Sequence, residues 1–478
     1  MRVAGLLGAM ARGSMTAAAD LGVVAVTLAV IGFGASSDAA RADERGGAKP
    51  AAGCRIVWGL PVADVPLSAG VRLGGLSDLA PAREGEGRFW AVTDRGPNGT
   101  LDRDGTKLRT LLAPEFTPTL VLLHVSAESL PSGTSAGSAR AKAAATIAVE
   151  KLVPLTGPER KPLTGLPTGG PGHLPVLSAD GSAELAPDPD GVDTEGVVHL
   201  PDGTLWIAEE YGPSLLKVDA DGRALERHVP VGTGNTAAAV PHRETIPAAY
   251  ALRHDNRGFE AVAASPDGTR LWVLLQSPLD NPGPKAAKKT GNVRLLGFDP
   301  AAGKPVAEHV YRLGDPTDPD YLTKGAPPDD GKLCAMAMLA DGDLLVLEQD
   351  DAGLACLYAV SLAGATDTLA WQPSSGGSKP ADKTLEETRD LPKAGIVPVG
   401  KRLVANLGTL REAMTAQADG GRPRHGPLKL EGLAVVGDRH VLIANDDDFG
   451  VHGKQEGRRR SFLWLVELDR PLGAIPPR

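Results

Sequence analysis

Cysteine is nearly missing from this chain, with three residues, Cys54, Cys334 and Cys356, among 478. At most one disulfide can form, which excludes a scaffold stapled by many bridges, and the odd count leaves a thiol. Cys334 and Cys356 fall in one repeat unit and are the preferred pair; the alternative is that all three are small buried apolar groups. Long-period helical patterning is also scarce, so a helix bundle is not expected. No basic stripe balances the formal charge of −9, and only Arg458–Arg460 cluster, which argues against nucleic-acid binding. The mature chain carries no HExxH, and GTGNT at Gly232–Thr236 lacks the Lys-Ser/Thr ending of a phosphate loop. His173, His199, His242, His254, His425 and His452 show no metal-ligand spacing.

What is abundant is a recurring phrase: an acidic residue, a small residue, alternating apolar positions, a Gly-containing turn, and a second apolar run. It reads TEGVVHLPDGTLWIAEEYGP at Thr194–Pro213, FEAVAASPDGTRLWVLLQSP at Phe259–Pro278, CAMAMLADGDLLVLEQDD at Cys334–Asp351 and LEGLAVVGDRHVLIANDDDFG at Leu430–Gly450. Each is an antiparallel hairpin, and such repetition over several hundred residues is the sequence form of a β-propeller. A copy with a longer turn runs from Gly74 to Gly99, and AGIVPVGKRLVANLG at Ala394–Gly408 parallels LIAN at Leu442–Asn445. The expected fold is therefore all-β, a single ring of roughly six blades.

The chain divides around that ring. Residues 1–40 read as a signal peptide, with Arg2 and Arg12, an apolar run Leu21–Phe33 shorter than the ~20 residues of a membrane span, and small residues at Ala35–Ala40. Residues 41–53 are a flexible leader, 54–470 the propeller and 471–478 a tail. A periplasmic or secreted monomer with no stable membrane insertion after cleavage is expected. Two segments interrupt the repeat near 131–190. Pro131–Lys142 is Ser, Gly and Ala rich; Pro154–Asp190 is dense in Pro and Gly, and reads as a solvated spacer, with coverage of one channel mouth as the alternative.

The repeat also places chemistry. Inner strands line a propeller's channel, so Glu195, Glu260 and Glu431, at one register, are expected to converge there. Facing carboxylates must hold a cation, raise their pKa values or pair with bases. Hard oxygen donors favour Ca²⁺ or Mg²⁺ over zinc. Asp94, Glu209, Glu210, Glu348 and Asp446–Asp448 follow the second strands and are expected near a channel mouth. Arg95, Arg257, Lys401 and Arg402 sit beside these acids, as anion ligands or as structural counter-ions.

GGLSDLA with FWAVTDRGPNG, DTEGVVHLPDGTLWIAEEYGPSLLKVDADG, NRGFEAVAASPDG, LLVLEQDD and the final LKLEGLAVVGDRHVLIANDDDFG together resemble the bacterial "esterase-like activity of phytase" family, from about Ile56 to Leu468. The resemblance implies an exported propeller acting on phosphate or other esters, with Ca²⁺ as the ion. It implies functional positions at Asp94 and Arg95, Glu195 and Gly196, Glu210–Pro213, Glu260, Glu431 and Asn445–Asp448. Two departures stand out. Gln349 follows Glu348 where Arg often stands, removing a phosphate-binding cation, and Asp447 replaces an Asn, adding negative charge.

The combined expectation is metal-dependent hydrolysis of a small-molecule ester, with phosphate esters preferred. Glu195, Glu260, Glu431, Asp446 and Asp94 hold Ca²⁺, with Mg²⁺ as the other candidate; Glu210 moves a proton; Arg95 and Arg257 orient the anion. The competing readings are a lactonase or carboxylesterase on a similar ring and a ligand-binding propeller without catalysis.

Overall fold

The computed structural model describes residues 53–126, 130, 145–169, 175–314, 331–351, 353–371, 383–421, 426–452, 455–456 and 459–474. The signal-peptide segment 1–40, the leader up to residue 52 and the 131–142 insertion lie outside the described residues.

Alternating apolar residues build the strands, and Asp-Gly pairs reverse them. In the turn after Leu200, the Asp202 carboxylate accepts the Thr204 amide at 2.9 Å while Gly203 takes φ +83°, a conformation that costs glycine nothing. The same turn recurs at Asp267-Gly268 and Asp341-Gly342, with side-chain acceptance at 3.1 Å in each and φ of +72° and +89°.

The strands assemble into five blades. Blade 1 comprises Leu76–Pro81, Arg88–Thr93, Thr119–Val125 and Ile147–Pro154 from the axis outward, and blade 2 Thr194–His199, Leu205–Glu209, Ser214–Val218 and Ala224–Pro230, extended by a parallel strand His242–Ile246. Blade 3 comprises Phe259–Ala264, Leu271–Leu275, Asn292–Asp299 and Lys304–Arg312, and blade 4 Lys332–Met338, Leu344–Gln349, Ala355–Ser361 and Gly400–Asn406. Blade 5 takes Lys429–Val436, His440–Asp446 and Phe462–Leu468 from the C-terminal part of the chain and its outermost strand, Cys54–Pro61, from the N-terminal part. That pairing fastens the two ends of the ring together and removes an open edge.

Inner strands touch in the order 1-2-3-4-5-1, so the propeller closes with five blades rather than the six expected. The miscounted unit, Ala394–Gly408, is not a hairpin. Its strand Gly400–Asn406 pairs with Ala355–Ser361 as the outer edge of blade 4. A strand sequence of LVAN type fits an inner or an outer position equally well, because both need alternating apolar residues.

Apolar side chains fill the spaces between blade faces. Trp90, Trp206 and Trp272 occupy one register of the second strands of blades 1, 2 and 3, opposite Ala80, Val198 and Ala263. Trp206 is fully buried and lies 5.7 Å from Phe298 of the next blade. Burial of such rings is worth about 1.5–3 kcal/mol each.

Cys54, Cys334 and Cys356 form no disulfide. The preferred bridge fails for a geometric reason: Cys334 is on the inner strand of blade 4 and Cys356 on the third, with Leu344–Gln349 between them. Two strand spacings amount to about 9–10 Å, beyond disulfide reach.

Two additions cap the channel mouth. A three-stranded sheet joins Asn98–Arg103, Thr106–Leu111 and Val176–Ser178, the last pairing in parallel with Arg109–Leu111. The Pro/Gly-rich 154–190 segment is thus not a solvated spacer; it supplies a strand to this sheet, the alternative weighed for it. Helix α1, Gly408–Ala418, precedes blade 5 and is the one α-helix among the described residues.

Candidate functional site

Every inner strand is interrupted once by a β-bulge near its start. The residue skipped by the pairing is Ser77 in blade 1, Glu195 in blade 2, Glu260 in blade 3, Cys334 in blade 4 and Glu431 in blade 5. A bulge re-aims one side chain out of the alternation. Five equivalent side chains are therefore redirected at one level, and the repeat register read from sequence is a bulge register.

The neighbour of each bulge keeps the strands close. A Cβ on Gly196 would lie 2.9 Å from the Val262 amide nitrogen and 3.1 Å from the Glu260 carbonyl oxygen, so glycine permits blades 2 and 3 to meet there. Blade 1 carries Asp78 at that position instead. Its carboxyl accepts the Val197 amide of blade 2 at 2.9 Å, and burial pushes its pKa well up. Sequence reading passed over Asp78 because the bulge hides its equivalence with a glycine or alanine.

A second tier follows the outgoing strands: Asp94, Glu210, Gln276, Gln349 and Asp446 each come one residue after the position paired with the residue preceding the bulge. All five line a cavity of about 400 Å³ at the channel mouth, together with Glu195, Glu260 and Glu431. The expected acids Asp94, Glu195, Glu210, Glu260, Glu431 and Asp446 thus come together.

Two donor groups stand out within this cavity region. Carboxylate oxygens of Asp193, Glu195 and Glu210 lie within 4.8 Å of one another, and so do donor atoms of Glu260, Cys334 and Glu431. Glu260 is almost fully buried; its Oε1 accepts from the Gln276 amide, while its Oε2 has no hydrogen-bond partner. An orphaned buried carboxylate oxygen beside other carboxylates suits a hard cation, since oxygen donors are what Ca²⁺ and Mg²⁺ take. Burial, then Glu260 and Glu431, push the Cys334 thiol pKa well up, and its sulfur accepts from Gln349 Nε2 at 2.9 Å.

Burial and mutual repulsion set the charge state of the acids. Burial raises Glu195 and Glu260 well above the carboxylate range; Glu260 adds to the rise of Glu195, and Glu210 and Glu431 to that of Glu260. Burial, then Asp446, lifts Glu431 to about 8 despite Lys429 nearby. Glu210 rises to about 7 through burial and Asp193, moderated by Arg95 and Arg109. Asp94 is raised by burial and by Asp446 and Asp193, and Asp446 by burial and Asp448.

Arg95 is a counter-ion here, which was one of its two expected roles. Its guanidinium pairs with Asp193 and reaches Glu210 at 3.5 Å, and its amide donates to Asp193 Oδ1 at 3.1 Å. Glycines back both groups: a Cβ on Gly165 would meet the Arg95 carbonyl oxygen at 1.8 Å, and one on Gly258 the Glu210 carbonyl oxygen at 2.1 Å. Arg257 lies just ahead of the blade 3 inner strand, half-buried, where its charge lowers the pKa of Asp351; the cavity's cations are Arg95, Arg109, Lys332, Arg411 and Lys429.

Other expected residues are structural. Glu209, next to Glu210, accepts the Asp193 and Tyr211 amides at 3.0 Å and pairs with Arg227 at 2.8 Å. Glu348 binds the Tyr311 hydroxyl at 2.7 Å and pairs with Lys401. Asp447 turns from the cavity to accept the Gly75 amide of blade 1 at 2.9 Å, and burial lifts its pKa to about 7. Gln349 is held by Leu430 and by Arg411 from helix α1, whose guanidinium also binds the carbonyls of Asp350, Leu354 and Leu428. Arg109 and Arg411 were not foreseen because neither occupies a repeating position, and Asp193 because its register, two residues before the bulge, holds Gly75, Gly258, Lys332 and Lys429 in the other blades and so has no common residue type.

A family model for "Phytase-like: Esterase-like activity of phytase" matches residues 71–449. A fungal protein of Arthroderma benhamiae, described as an "Uncharacterized secreted protein", is 29% identical over 319 residues, a match spanning 59% of this chain and 59% of that relative. Among the described residues no helix is long and apolar enough to cross a membrane. Two solved structures show low overall likeness. The aldose sugar dehydrogenase of Streptomyces coelicolor is 13% identical, with 88% of this chain and 100% of that one covered, at a TM-score of 0.29. The periplasmic gluconolactonase of Pseudomonas aeruginosa is 14% identical, with 84% and 88% covered, at a TM-score of 0.28. The chain belongs to the phytase-like family.

Proposed function

We propose that this phytase-like propeller is an exported, divalent-cation-dependent ester hydrolase working at its channel mouth, with phosphate esters as its substrates. The observation that carries the reading is the convergence of Glu195, Glu260 and Glu431 from three blades, with Glu260 Oε2 buried and unpartnered. Together with Asp94 and Asp446, these residues would hold the cation, Ca²⁺ in preference to Mg²⁺ because the cluster is wide and rich in carboxylates. A cation bound there supplies Lewis-acid polarisation of the ester and a water of lowered pKa.

The chain's own groups supply the rest. Glu210, with its pKa lifted to about 7, is suited to take a proton from water and return it to the leaving oxygen. Burial supplies the largest part of that rise, Asp193 adds to it, and Arg95 limits it. Arg257, at the rim beside Asp351, orients the anion on entry.

A lactone or carboxylic ester is the second reading, and charge favours it. Arg95 is paired with two acids and Arg411 is spent on carbonyl oxygens, so the cavity has little cation to spare for a polyanion. The test is turnover by the chelator-treated chain with and without added Ca²⁺ on phosphomonoesters, phosphodiesters and lactones. Calcium-dependent release from a phosphate ester, inhibited by inorganic phosphate, supports the first reading. Lactone turnover indifferent to phosphate supports the second, and no divalent-dependent turnover on any substrate removes both.

A further inference from the structure

Arg109 stands on the capping sheet, opposite Thr100 on one side and Val176 on the other. It is half-buried, and it lines both the main cavity and an adjoining side pocket of about 160 Å³ shared with Arg95, Thr100 and Asn256. The other four cations of the main cavity are engaged. Arg95 pairs with Asp193 and Glu210, Lys332 with Asp351, Lys429 with Asp446 and Asp448, and Arg411 with backbone carbonyls. The Arg109 side chain makes no hydrogen bond or ion pair among the described residues. Five N–H donors on a planar fork thus face the junction of two cavities with no protein acceptor among the described residues.

We propose that Arg109 anchors the anionic group of the substrate, and that the substrate is an ester bearing one oxyanion rather than a polyphosphate. This inference deepens, and rests on, the hydrolase reading above. A guanidinium grips phosphate or carboxylate oxygens through two parallel N–H donors, which neither a hydrated ammonium nor a paired arginine can do. The like charge of Arg95 and burial both depress the Arg109 pKa, so an arriving anion relieves a strain already present. Only one such fork is free, and eight carboxyl groups line the same cavity, so a ligand with many phosphates would meet more repulsion than attraction. The opposing possibility is that Arg109 serves only as a distant counter-charge to Glu210 and Asp193, which contribute to its titration without touching it.

The experiment is calorimetric titration of inorganic phosphate into the full chain after chelator treatment, so that no metal contributes. Wild type and the exposed-surface control Arg223→Gln are expected to bind phosphate equally. Arg109→Gln is expected to weaken binding roughly ten- to hundredfold, the usual worth of a charged hydrogen-bond pair, and Arg109→Lys to fall between. Because the Arg109 side chain makes no hydrogen bond or ion pair among the described residues, both variants are expected to melt with the wild type, and Arg109→Lys keeps the charge if they do not. Phosphate affinity unchanged in Arg109→Gln, or no binding by the wild type, overturns the proposal. Phosphate bound through Arg109 without divalent-dependent turnover keeps the anchor and removes the hydrolase.

Discussion

Glu260 and Glu431, from blades 3 and 5, bring carboxylate oxygens within 4.8 Å of each other beside the Cys334 sulfur of blade 4. Three consecutive blades thus aim their bulge residues at one volume. Two acids at that distance cannot both ionise cheaply without a cation between them, and this repulsion makes the stability of the site depend on pH and on metal.

The metal-free chain should lose stability as pH rises. Glu431 is held up to about 8 and Glu210 to about 7, with Glu195 and Glu260 also raised. Below the unfolded value of about 4.3 both states are protonated, and above it the unfolded chain sheds protons that the folded chain retains. The melting temperature of chelator-treated protein should therefore fall between pH 5 and pH 8, and calcium should raise it most at the upper end. A midpoint that climbs across this window contradicts the assignment.

Adjacent glutamates should behave oppositely. Glu209→Gln breaks a buried ion pair with Arg227 and should cost about 3–5 kcal/mol in urea denaturation. Glu210→Gln removes a carboxyl whose ionisation is already disfavoured. It should change stability by less than about 1 kcal/mol while reducing turnover about 10²- to 10⁴-fold. Equal stability losses in the two variants would refute the division of labour.

Gly258→Ala should damage the site from outside it. The new methyl would press on the Glu210 carbonyl oxygen, 2.1 Å away, and backbone must move. A destabilisation of about 1–3 kcal/mol is expected, with a shifted pH optimum because Glu210 leaves Asp193 and Arg95. An unshifted pH profile would show that Glu210 is not the titrating group.

The repeating part of this site was legible in the sequence and the inserted part was not. Glu195, Glu260, Cys334 and Glu431 could be aligned because each sits at the same step of the same hairpin, and the bulge turns that step into a common direction. Asp94, Glu210 and Asp446 followed from the same alignment one strand later. Arg109 comes from a sheet completed by a strand about 65 residues further along, and that parallel pairing has no local signal. Arg411 rides on a helix whose exposed and buried faces are weakly distinguished, and its contacts are backbone carbonyls invisible to pattern. The blade count slipped because Gly400–Asn406 has the composition of an inner strand but pairs at the outer edge of blade 4.

The central claim is that bulge glutamates from different blades form one cation site. Its most direct test is calorimetric titration of Ca²⁺ into the chelator-treated chain, with Glu260→Gln and Glu431→Gln beside it. Saturable binding by the wild type, weakened about tenfold or more in each variant, is the predicted result. No binding at millimolar calcium, or affinity indifferent to both substitutions, would contradict it.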